Sequence, residues 1–196
     1  MLILTLAIGL IGGLLAGGRI TNLANVRLRL VWLLFLGLVV RYATQFAIEA
    51  GVPFVDQLRL PLFAGGFLLL LIALWANREQ PGLPLAFVGI LLNATAIVTN
   101  GGYMPVRLDD LARAGFPQNA AKIIRDGHYE KSTALTEATL LPWLGDVIYL
   151  PLPYGPGRMI SIGDVFVAAG TFLFIQEALV PSRRRTPTLR AAPAAS

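Results

Sequence analysis

Five apolar runs, each close to the length of a bilayer's hydrocarbon core, leave this chain few ways to fold: 2–18, 30–50, 61–76, 83–99 and 162–180. A spanning helix needs about 20 mainly apolar residues, with roughly 17 as a lower bound. Composition agrees. Only 14% of the residues are charged and 56% are hydrophobic, with a mean hydropathy of +0.68, whereas roughly a quarter of a soluble domain is charged. The expected fold is an all-α integral membrane bundle of about five helices, forming a single transmembrane domain over 1–181. Residues 182–196, rich in Arg, Pro and Ala, are expected to be a disordered cytoplasmic tail.

The first run is short and ends in Ala16-Gly17-Gly18, as a signal peptide would. Its bases, Arg19, Arg27 and Arg29, follow the apolar stretch instead of preceding it, so a retained helix is the preferred reading. Gly9, Gly13 and Gly17 recur every fourth residue and give that helix a face on which another helix can approach closely.

Arginines set the orientation. Arg19, Arg27 and Arg29 follow the first run, Arg78 follows the third, and Arg183, Arg184, Arg185 and Arg190 follow the fifth. With five spans these links share one side, which the positive-inside rule makes cytoplasmic. The N-terminus and residues 100–161 are then outside an inner (plasma) membrane. Trp32 and Trp75, near the cytoplasmic helix ends, fit an aromatic belt. The net charge of +5 is thus an orientation signal, and no nucleic-acid partner is implied.

Residues 100–161 are expected to be mainly helical. Leu108–Ala114 is stopped by Gly115 and Pro117, Gln118–Asp126 by Gly127, and Ser132 is placed to cap a third helix running to about Leu141. Residues 140–153 are apolar but broken by Pro142, Gly145, Asp146, Pro151 and Pro153. With Trp143, Tyr149 and Tyr154 they suggest an interfacial or re-entrant lid over the bundle's mouth. Asp146, in that broken segment, is expected at the surface.

Chemistry is sparse. The chain has no cysteine, one histidine (His128) and four serines. Nucleophile elbows, phosphate loops, dinucleotide fingerprints and metal-binding motifs are missing, so no catalytic residue, metal or cofactor is expected. Arg41 stands near the middle of the second run, where a charge costs at least about 2.5–3.5 kcal/mol. Gln45 and Glu49 follow on the same helix face. Asn93 and Asn100 stand seven apart in the fourth run, with Thr95 and Thr99 nearby. Arg41, Gln45, Asn93 and Asn100 are therefore the candidate ligand-binding residues, with the two stripes facing each other as the floor of an outward-opening cavity. The alternative for Arg41 is a structural ion pair with Glu49 or Asp164. Ser161 and Asp164 match a capping box opening the last helix.

The run Asn100-Gly101-Gly102-Tyr103-Met104-Pro105, then Leu144-Gly145-Asp146, Pro151-Leu152-Pro153 and Ser161-Ile162-Gly163-Asp164, resembles a family of small bacterial multi-pass membrane proteins catalogued as a domain of unknown function. The resemblance implies an inner-membrane location and an outward loop returning into the last helix through a glycine-aspartate turn. It implies no substrate, cofactor or catalytic residue.

The sequence therefore points to a non-catalytic protein of the lipid bilayer that binds a small anionic ligand, a lipid or a membrane protein partner at an outward cavity. The alternatives are a small-solute transporter, an outward-facing enzyme acting on lipid-linked substrates through Glu137, Asp146, Asp164 and His128, and a packing subunit of a larger membrane complex.

Overall fold

The computed structural model describes residues 2–152 and 155–180. Pro153, Tyr154, the tail over 182–196 and its arginines lie outside the described residues. The chain is mostly helical. The long helices are α1 (Leu2–Leu15), α2 (Val31–Glu49), α3 (Arg59–Ala76), α4 (Leu83–Thr99) and, after a 62-residue gap that includes the cap described below, α7 (Ile162–Leu179). Each matches an apolar run. The expectation of five spans is met only in part, because three helices, α2, α3 and α7, are both long and apolar enough to cross a membrane. Helices α1 and α4 have 14 and 17 residues, roughly 21 and 25 Å at 1.5 Å per residue, against a core of about 30 Å.

The long helices pack in the order α1, α7, α4, α3, α2, a row with α1 and α2 at its ends. Glycines set the closest approaches. Between α4 and α7, Gly82 faces Gly170 and Gly89 faces Gly163, backbone against backbone. A Cβ at Gly89 would stand 2.5 Å from the Gly163 carbonyl oxygen. Numbers rise on one helix as they fall on the other, so the pair is antiparallel. Between α1 and α7 they rise together: Gly9 lies against Ile175 and Gly13 against Leu179, making these two parallel. Gly17 meets nothing within 4 Å. Gly37 of α2 sits on Gly66 and Leu70 of α3.

Helix ends gather at two levels. At one, the Leu179 carbonyl accepts from Arg19 N and Asn22 Nδ2. There too Asn77, buried just past α3, donates to the Arg29 and Ala73 carbonyls and accepts from Arg29 N, each at 2.7 Å. At the other level sits the cap, residues 100–161. The contact of Gly89 with Gly163 starts α7 below the top of α4, and Leu144, Asp146, Ile160 and Ser161 are buried beside the vacated space. Leu144, 2% exposed, packs there among Phe67, Ala94, Ala96, Ile97 and Met104.

The cap overturns the all-α expectation and that of a mainly helical loop segment. It holds α5 (Leu108–Arg113) and α6 (Pro117–Asp126), close to their expected bounds, with Gly127 in the left-handed region as C-cap. The rest includes five short strands. β1 (Met104–Val106) pairs in parallel with β3 (Ser132–Ala134), β3 pairs antiparallel with β2 (His128–Tyr129), and β4 (Ile148–Leu150) pairs antiparallel with β5 (Arg158–Ile160). Ser132 thus opens a strand and caps no helix. The physical reason is the neighbour: β1 leaves α4 with unpaired backbone groups, and Met104 N donates to Lys131 O while Leu135 N donates to Val106 O, so the segment satisfies its amides by pairing.

Candidate functional site

Arg41 lies on the inner side of the row, half-buried, its guanidinium 4.2 Å from the centre of the Phe67 ring. Gly66 makes room for it: a Cβ there would stand 2.7 Å from Arg41 Cγ. The Arg41 Nε is enclosed and has no hydrogen-bond partner among the described residues. Asp164 acts on Arg41 electrostatically, yet no ion pair joins them among the described residues. One turn toward the cap, Gln45 donates through Nε2 to Glu49 Oε1, and its enclosed Oε1 meets no partner among the described residues.

The two polar stripes do not face each other, because α3 packs between α2 and α4. Asn93 turns to α7. Its Nδ2 donates to Asp164 Oδ1 at 2.8 Å, and its Oδ1 accepts from Ser161 Oγ at 2.7 Å. Ser161 Oγ in turn accepts from Asp164 N at 3.0 Å, the N-cap half of the expected capping box. The Asp164 carboxylate bonds Asn93 instead of reaching back. Gly163 is required here, since any Cβ would strike the Asn93 side chain.

Asn100 is engaged with backbone. It donates to Leu140 O at 2.9 Å and Ala96 O at 2.8 Å and accepts from Leu140 N at 3.0 Å, the same clasp that Asn77 makes at the opposite end. Of the four expected ligand-binding residues, Arg41 and Gln45 stay together with unmet polar atoms, while Asn93 and Asn100 spend their amides on the protein.

Asp146 is the residue that sequence reasoning placed wrongly. It is 6% exposed because its segment folds inward beside β1: its N donates to Pro105 O at 2.7 Å and it bridges Val106. Gly145 permits this, since a Cβ there would stand 2.6 Å from the Pro105 carbonyl oxygen. Burial, above all, pushes the Asp146 carboxyl from 3.8 up to about 7, with Lys131 pulling it down and Asp164 pushing it up. The surface reading failed because proline and glycine mark a broken helix equally in an exposed loop and in a re-entrant one.

Arg59 was also missed. It is 3% exposed, donates to Asp56 Oδ1 at 3.0 Å and to Glu130 O at 3.1 Å, and stacks 4.1 Å from the Tyr103 ring. Tyr103 in turn lies against His128, ring centres 4.6 Å apart and the planes tilted by 42°. This column fastens the cap to the first turn of α3, beside an open cavity of about 410 Å³ lined in part by Glu49, Asp126 and His128. Among the described residues no group of acidic and histidine side chains is arranged to hold a metal.

The polar residues from Arg41 to Asp164 lie within one matched stretch. The model of a family of unknown function, DUF5317, matches residues 25–176. The chain is also similar to an uncharacterized protein of Thermotoga maritima, 34% identical over 140 residues that make up 69% of this chain and 77% of that protein. No solved structure matches. The chain therefore belongs to DUF5317, a family of unknown function.

Proposed function

We propose that the protein is a non-catalytic, five-span protein of the bacterial inner membrane, with its N-terminus and cap outside. In this reading it binds an anionic group through Arg41, at the cap-side half of the bundle. The orientation follows from Arg19, Arg27, Arg29 and Arg78, which belong to the end opposite the cap, where the positive-inside rule puts them in the cytoplasm. The short helices α1 and α4 then cross where the local bilayer thins or where flanking residues reach outward.

One observation carries the binding reading: the guanidinium of Arg41 stands at mid-helix in an apolar segment, and its enclosed Nε meets no hydrogen-bond partner among the described residues. Charged groups at that depth serve as binding or relay sites when no internal partner satisfies them, and a guanidinium fork suits phosphate or carboxylate. The packing-subunit reading is less favoured, since Gly9 and Gly13 already face α7 within the chain. The enzyme reading draws on Asp146 and Asp164, whose charges interact, but His128 lies against Tyr103.

Native mass spectrometry of gently extracted protein tests the proposal. An anionic small molecule or lipid should co-purify and be lost from Arg41→Ala, which should still fold. Identical adducts on both proteins would refute the site.

A further inference from the structure

Residues 138–145 carry no charge, yet they belong to the polar cap and hold out three large apolar side chains. Leu140 is 57%, Leu141 36% and Trp143 59% exposed. The frame beneath them is fixed at several points. Pro142–Leu144 is a turn of 3-10 helix packed against both α4 and α7, with Leu144 turned inward. Leu141 is held at φ 51°, a left-handed conformation that a leucine keeps only where its surroundings impose it. Asn100, the C-cap of α4, fixes Leu140 through both its N–H and its carbonyl.

Depth separates this patch from an ordinary exposed loop. In the five-span reading, on which this inference rests, α4 crosses the bilayer, and its roughly 25 Å lies within a hydrocarbon core of about 30 Å. Gly163, at the start of α7, meets α4 at Gly89, and α4 runs on from position 89 to 99, roughly 15 Å more. Asn100 ties Leu140 to the top of that stretch, and Leu144 packs into it against Ala94, Ala96 and Ile97. Residues 140–144 therefore stand beside the cap-side end of a spanning helix.

Irregular backbone is tolerated at such a depth when its polar groups are satisfied within the protein. Here they are largely spent. The Thr139, Leu144, Gly145 and Asp146 amides donate to the Thr136, Leu141, Pro142 and Pro105 carbonyls, and Pro142 has no N–H to satisfy. The exposed apolar surface continues on the helices that the turn packs against, at Val98 near the end of α4 and at Ile162 and Val165 in the first turn of α7. A protein partner of ordinary kind would look for a polar rim around such a patch, which an uncharged stretch with spent backbone does not supply. Lipid asks for none, and an indole with one N–H suits the boundary between acyl chains and head groups.

We infer that residues 140–143 form a tip inserted into the bilayer leaflet on the cap side, with Leu140 and Leu141 among the acyl chains and the Trp143 indole at the level of the lipid glycerol and head groups.

The test is quenching of tryptophan emission by lipid. Of the three tryptophans, Trp32 and Trp75 are replaced by phenylalanine in the full chain. The protein is then reconstituted in vesicles of phosphatidylethanolamine and phosphatidylglycerol, with bromine carried either near the head-group end or near the tail end of the acyl chains. Trp143 should emit to the blue of tryptophan in water and lose more of its emission to the head-group-end bromines than to the tail-end ones. Should the double substitution fail to fold, the quenching that disappears from the parent on Trp143→Phe gives the same reading. A parallel variant keeps Trp75, 56% exposed on α3, as its sole tryptophan and reports on the bundle. If bromines quench Trp75 but not Trp143, the tip is overturned while the spans stand; red emission then puts Trp143 in water and blue emission puts it against protein. If neither residue is quenched, the five-span reading falls with the tip. Stronger quenching of Trp143 by the tail-end bromines overturns its placement at the head-group boundary.

Discussion

Asp146 shows how a single buried carboxyl ties this fold to pH. Its pKa of about 7 in the folded chain lies above its ordinary 3.8, so the folded state favours the neutral form. Between pH 4 and 7 the unfolded group has lost its proton and the folded one keeps it. Stability therefore falls as pH rises through that window, by up to about 4 kcal/mol at 1.36 kcal/mol per unit. Asp146→Asn should flatten this fall and raise stability at pH 8 relative to the parent, read as melting temperature against pH. An unchanged profile would show that Asp146 stays hydrated. The two asparagine clasps make a second test at this scale. Asn77→Ala and Asn100→Ala each strand a remote backbone pair, at a cost of about 1–3 kcal/mol, with buried Asn77 the more costly in a thermal melt. Arg41 stands out in the sequence because a charge inside an apolar run is costly, whether a ligand or an ion pair offsets that cost. The roles of Asn93 and Asn100 were not legible there, since a polar stripe looks the same whether its amides address a ligand or a neighbouring backbone.

Helices were more legible than strands. The long apolar runs fix α1 to α4 and α7 because spanning length is a property of composition, whereas strands of two or three residues are too short to show alternation. The β1–β3 pairing joins residues 28 apart in sequence, and no local pattern announces it. One readable signal went unused: Gly82 and Gly89, and Gly163 and Gly170, are each seven apart, the spacing at which a helix returns to one face. Gly89→Val should force α4 and α7 apart and cost about 3 kcal/mol. Gly65→Ala, where no atom lies within 4 Å, should cost nothing measurable. Equal melting of the two variants would refute backbone contact as the basis of the α4–α7 pair.

For the molecule as a whole, the absence of cysteine makes orientation directly measurable. Single substitutions Glu137→Cys in the cap and Arg78→Cys after α3 are both at exposed positions. An impermeant maleimide on intact cells should label the first and reach the second only after permeabilisation. The reverse pattern would invert the proposed topology. The parallel contact of α1 with α7 carries a consequence for synthesis. Gln176 Nε2 reaches the Gly9 carbonyl across 167 residues, so α1 is made long before its chief neighbour. At about 5–20 residues per second, α1 waits roughly 10–30 s with its glycine face uncovered. During that interval an insertase or chaperone has its best opportunity to hold it, and the α1–α7 contact closes only once α7 has been made.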